Sequence, residues 1–126
     1  MSGKNLLLLF LAGGLGALSR FGLTSLVNQA VGYHFPLGTL AVNVLGCLIF
    51  GFYWSTAEHF GLNGPSRIII MSGFLGAFTT FSSMIFESGA LTGYRLLPAA
   101  LNILAHLLGG FSAFYLGVRT SRMFFG

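Results

Sequence analysis

Apolar residues fill four long stretches of the chain, 5–31, 37–57, 67–88 and 96–118. Turn-forming residues gather between them: Gly-Tyr-His-Phe-Pro at 32–36, Gly-Leu-Asn-Gly-Pro at 61–65 and Thr-Gly-Tyr-Arg at 92–95. Each stretch can form a helix of about 20 residues, enough to cross the hydrocarbon core of a bilayer. The pattern predicts an all-α membrane protein, one domain over residues 1–126, with four transmembrane helices.

The third stretch departs from an ordinary span. Gly73 to Ser83 reads Gly-Phe-Leu-Gly-Ala-Phe-Thr-Thr-Phe-Ser-Ser. Glycine costs about 1 kcal/mol relative to alanine in a helix interior, and β-branched threonine adds a smaller cost. The pattern therefore predicts a helix broken in mid-membrane. A break frees main-chain N–H and C=O groups, which lipid cannot satisfy; protein, an ion or a watery cavity must. The segment reads first as an ion site or permeation path.

Composition supports lipid as the solvent. Hydrophobic residues make up 55% of the chain and charged residues 6%, against roughly 25% charged in soluble domains. The formal net charge of +4 is dispersed over span ends, with no run or patch, so nucleic acid is not a partner. The single cysteine, Cys47, lies within a span, has no metal-ligand cluster around it in the sequence, and reads as a small apolar packing residue. Lys4 followed by Leu6–Leu11 and small residues resembles a signal peptide. That reading leaves three spans and discards Arg20, so four spans are preferred.

With four spans both termini share one face. Lys4, Arg67, Arg119 and Arg122 fall on it, and Arg20 and Arg95 on the other. The positive-inside rule favours cytoplasmic termini, but so small a bias lets a chain insert both ways.

Several polar residues stand within the spans. Arg20 is either a functional charge or a snorkelling end residue; the small residues before it, Gly13, Gly14, Gly16 and Ala17, suit close helix packing. Pro36 suits a helix start. Thr39, Asn43, Gly46 and Phe50 share one helical face. The Asn43 amide either glues helices together or donates to an anion; a broken helix and an arginine in the same chain favour the anion. Phe78 and Phe81 either pack or turn positive ring edges towards an anion. Glu87 is the one carboxylate deep in apolar sequence. Asn102, His106, Gly109 and Ala113 share a face, where His106 relays protons or, more commonly, bonds a neighbouring helix. No phosphate-binding loop, His-Glu-x-x-His or nucleophile elbow occurs, which excludes ATP-driven transport by this chain alone and argues against an enzyme.

Three motifs together resemble the CrcB/Fluc fluoride channels: Gly13-Gly14-x-Gly16-Ala17-x-x-Arg20; Phe35-Pro36-x-Gly38-Thr39-Leu40-x-Val42-Asn43-x-x-Gly46; and Gly73-Phe-Leu-Gly76-x-x-Thr79-Thr80-Phe81-Ser82. The resemblance covers all four spans in order. It implies passive export of cytoplasmic fluoride across the cell membrane by an antiparallel, dual-topology dimer, built from two copies of the chain or from related chains. Two fluoride paths would run along the subunit interface. The resemblance places Asn43, Thr39, Phe81 and Ser83 along the pore and puts Met84 and His106 at further family positions there, while Phe78 and Arg20 are candidates from the residues themselves. It also implies a structural sodium ion held by the main-chain carbonyls of Gly76 and Thr79.

The chain departs from the family pattern in places. Met84 stands where a second pore phenylalanine is usual, which removes an aromatic edge. Ala77 replaces a second glycine of the break, Gly110 a frequent serine, and His106 an aromatic or amide. These changes also suit one member of a heteromeric pair. Fluoride is small and tightly hydrated, so its passage needs donors that replace water and weak sites in series. The residues alone do not separate fluoride from chloride; the resemblance does. A rival class is a four-helix, proton-coupled exporter of cationic compounds, which needs a central carboxylate. Glu87, beyond the break, is its sole candidate here. A poreless assembly subunit would leave Asn43 and Arg20 unexplained.

Overall fold

The computed structural model describes residues 1–32, 34–93 and 95–126, with Thr92 by its main chain. Tyr33 and Tyr94, in two of the expected joins, lie outside the described residues. Helix α1 covers Gly3–Val31 and α2 Leu37–His59. The third apolar segment contains α3 (Pro65–Ile68), a π-helical stretch (Ile69–Leu75), α4 (Gly76–Phe78) and α5 (Phe81–Thr92). Helix α6 covers Leu96–Phe125, and no strand occurs among the described residues. Four helical segments are long and apolar enough to cross a membrane.

Sequence explains most of the helix ends. Ser2 caps α1 by accepting from Asn5 N at 3.4 Å. Pro36 stands immediately before α2, and Pro65 opens α3, where a missing N–H costs nothing. Gly61 and Gly64 take positive φ of 62° and 102° in the join before α3, a region open to glycine. An ion pair between Arg67 Nη2 and Glu58 Oε1, at 2.7 Å, ties the same join at the surface. Helix α6 continues past the expected end at 118, with Arg119 and Arg122 exposed in its last turns.

Packing divides the third segment. Its first part, through α4, lies against α1, whereas α5 lies against α6. The most extensive contact is between α2 and α6. Glycine makes that contact close: a Cβ on Gly51 would run into the main chain of Phe114, and one on Gly117 into the main chain of Leu48. Such small-residue contacts let helix backbones approach where lipid supplies no hydrophobic drive. In α1 only Gly16 is buried, against the main chain of Phe74. Large apolar side chains instead cover the outside, among them Phe10, Leu18, Phe21, Leu97, Leu108 and Phe111. That surface suits lipid or a second protein surface.

Candidate functional site

The site is built on the interruption at Thr79 and Thr80. Thr79 (φ −80°, ψ 158°) and Thr80 (φ −149°, ψ 115°) are extended between two helices. Their side chains seal both new ends. The Thr79 main-chain N–H and its Oγ1 each donate to Leu75 O at 3.0 Å. Thr80 Oγ1 accepts from Ser83 N at 3.2 Å, capping α5, and donates to Ser83 Oγ at 3.0 Å.

Asn43 supplies the remaining partner from α2. Its Oδ1 accepts from Thr80 N at 2.7 Å, and its Nδ2 donates to Thr80 O at 2.8 Å. One Nδ2 hydrogen remains, since an amide carries two. Gly46, one turn further on, admits the Thr79 methyl and the Phe78 ring where a Cβ would stand. Among the described residues, the carbonyl oxygens of Gly76 and Thr79 receive no main-chain hydrogen bond across the break.

A groove of about 430 Å³ opens beside this junction. Asn43, Thr79, Thr80, Phe81, Met84 and His106 are among its lining residues. Of the expected site residues, the fold thus brings Asn43, Thr79, Phe81, Met84 and His106 together. The two phenylalanines part company: Phe81 is 73% exposed, whereas Phe78 is 4% exposed and stacks on Phe74 with centroids 6.0 Å apart. Ser83 is half-buried beside Thr80. Gly76 is exposed on the single chain. Arg20 is half-buried within α1 and makes no side-chain hydrogen bond or ion pair among the described residues.

Thr39 lies apart from the groove. Its buried hydroxyl donates to Glu87 Oε1 at 2.5 Å, and Glu87 Oε2 is buried without a partner among the described residues. Glu87 lines a separate, more polar cavity of about 490 Å³ with Asn28, His34 and Phe86.

A buried polar chain backs the groove on the α6 side. Ser88 Oγ donates to Met84 O at 2.8 Å, and Asn102 Nδ2 donates to Ser88 Oγ at 2.9 Å. His106 Nδ1 lies 2.9 Å from Asn102 O. A carbonyl oxygen only accepts, so Nδ1 carries a proton; in the tautomer with that single ring proton, Nε2 holds the lone pair. That Nε2 is buried without a partner among the described residues. The buried stripe of α6 runs Asn102, His106, Gly110, Ala113; Gly109, expected on this face, sits at its edge.

Residues 7–118 match the family described as CrcB-like protein, Camphor Resistance (CrcB). The chain belongs to the CrcB-like family. Among its curated relatives, a protein of Nitratidesulfovibrio vulgaris is 46% identical over 122 residues, covering 95% of this chain and 98% of the relative. Another, of Solidesulfovibrio magneticus, is 43% identical over 115 residues, covering 90% and 92%. A third, of Nitrosococcus oceani, is 41% identical over 115 residues, with the same shares. Each is named a fluoride-specific ion channel FluC. This CrcB-like chain is accordingly a multi-pass membrane protein.

Sequence reasoning gave no role to Thr80 or to the Thr39–Glu87 pair. For Thr80 a signal existed: a threonine immediately before an apolar helical run marks a helix N-terminus. For Thr39 and Glu87 there was none, since they stand 48 residues apart.

Proposed function

We propose that this chain conducts fluoride passively out of the cytoplasm, as an antiparallel dimer with two paths along the subunit interface. The observation that carries the reading is the interruption at Thr79–Thr80, pinned by Asn43 and opening on a groove lined by the exposed ring of Phe81. A helix interruption of this kind is tolerated in mid-membrane where protein satisfies the freed groups, and here the Asn43 and Thr80 side chains do so for Thr80 N–H, Thr80 C=O and Ser83 N–H. The names of the CrcB-like relatives add fluoride as the ion.

The donors are few and weak, which suits transit. The second Nδ2 hydrogen of Asn43, the Ser83 hydroxyl and the edge of the Phe81 ring offer partial positive charge from neutral groups. Met84 lines the groove without an aromatic edge. Thr39 acts at one remove, with its hydroxyl committed to Glu87. His106, held by Asn102 through Nδ1, lines the path and shapes it. Phe78 supports it from within the core, and Arg20 draws anions towards the chain.

A structural sodium ion fits the free carbonyls of Gly76 and Thr79. Hard cations take oxygen ligands, and Gly76 is exposed where a second copy could contribute its own carbonyls. Such an ion would supply a fixed positive charge at the dimer centre.

Purified protein in liposomes should release fluoride down its gradient, followed with a fluoride electrode, and exclude chloride. Equal rates for the two ions would refute selectivity. Flux that appears only when a related chain is added would replace the homodimer with a heteromeric channel. The cation-exporter reading has one supporting observation, the half-buried Glu87 with its unpartnered Oε2 among the described residues; proton-coupled cation uptake by the same liposomes would establish it instead.

A further inference from the structure

We propose that Cys47 and His106 form a binding site for a soft, two-coordinate metal ion, Cu(I) or Ag(I), whose occupancy plugs the groove. The two side chains come from different helices, α2 and α6, and both line two overlapping cavities of about 430 and 400 Å³. His106 is only 7% exposed, and its Nε2 has no partner among the described residues. Its Nδ1–H is held by the Asn102 carbonyl at 2.9 Å. Metal-binding histidines are oriented in this way: the second ring nitrogen donates to a carbonyl or carboxylate, which fixes the ring and leaves the free nitrogen to the ion.

Cys47 is a free thiol. Its Sγ lies 3.4 Å from the position a Cβ would take on Gly110, one helical turn beyond His106 on the same buried stripe. The missing side chain at Gly110 leaves the sulfur against α6 and open to the groove. One sulfur and one imidazole nitrogen suit Cu(I) or Ag(I): soft ligands favour the soft monovalent ions, and two ligands complete a linear set. No group of three or more His, Cys, Asp or Glu able to hold a metal occurs among the described residues, which disfavours tetrahedral zinc. Binding replaces the thiol proton, which passes to solvent, with a metal–sulfur bond. An ion held there sits in the groove that contains Asn43 and Phe81. The plug rests on the channel reading; the binding does not.

The probe is silver nitrate in chloride-free buffer, with the full-length protein. Elemental analysis after gel filtration should find one silver ion per chain, lost in both Cys47→Ala and His106→Gln. Both variants keep the four methionines, so silver held by thioethers would persist in them. Retention by either variant, or no binding by the unaltered protein, would overturn the site. In liposomes silver should bring fluoride efflux down to the protein-free rate, a chelating thiol should restore it, and Cys47→Ala efflux should not respond to silver. Silver bound without a change in efflux would overturn the plug. An unaltered protein that conducts no fluoride before silver is added refutes the channel reading, while elemental analysis still decides the site.

Discussion

Asn43 grips Thr80 by both of its main-chain groups, accepting from the N–H at 2.7 Å and donating to the C=O at 2.8 Å. One side chain of α2 thereby replaces the helical partners that an interrupted third segment has lost. The same amide retains one hydrogen, which the proposed path can use.

Asn43→Ala should weaken the fold and the channel together. It strands two Thr80 groups, at about 1–3 kcal/mol for each buried group left unpaired. Thermal unfolding in detergent should shift down, and fluoride efflux should fall. Normal stability in this variant would show that water replaces the amide.

Phe81→Ala should separate the two effects. The ring is 73% exposed on the single chain, so its removal costs the monomer little. Efflux should drop by about tenfold, the equivalent of roughly 1.4 kcal/mol at the barrier. Unchanged efflux would remove Phe81 from the path.

Glu87→Ala should leave the buried Thr39 hydroxyl without its acceptor and destabilise the protein by about 1–3 kcal/mol. Glu87→Gln keeps an acceptor oxygen and should be milder. Neither the unaltered protein nor Glu87→Gln should show proton-coupled cation uptake, whereas uptake abolished by Glu87→Gln would favour the exporter.

Gly51→Ala should damage the fold itself, because the added methyl meets the main chain of Phe114 and α2 must move off α6. Overpacking of this kind costs about 1–3 kcal/mol. Gel filtration after heating should show earlier aggregation than for the unaltered protein.

Gly76→Leu tests the dimer and its ion. On the single chain Gly76 is exposed, and a Cβ there would come no closer than 3.5 Å to the Met71 carbonyl, so the chain itself has room. The variant should fold yet fail to dimerise or conduct. Replacing sodium by a large organic cation should reproduce part of that loss in the unaltered protein. A stable, conducting Gly76→Leu dimer would refute the sodium site.

The sequence by itself determined four apolar helical spans, their joins and an interruption within residues 73–83, which the structure narrows to Thr79–Thr80. These follow from hydrophobic length and from residues with local preferences, such as Pro36, Pro65 and the Thr79–Thr80 pair. Helical period also placed Asn102, His106 and Ala113 on one face. Only the tertiary structure decided which partner each polar group takes. Asn43 and Thr80 stand 37 residues apart, and Thr39 and Glu87 48 apart. Periodicity sets the side of a helix a residue faces; helix separation and rotation set what it meets. Hence Phe78 turned into the core against Phe74 while Phe81 turned out, and Gly110 rather than Gly109 joined the buried stripe. Close contact of α2 with α6, through Gly51 and Gly117, fixes how α6 turns its stripe towards α2.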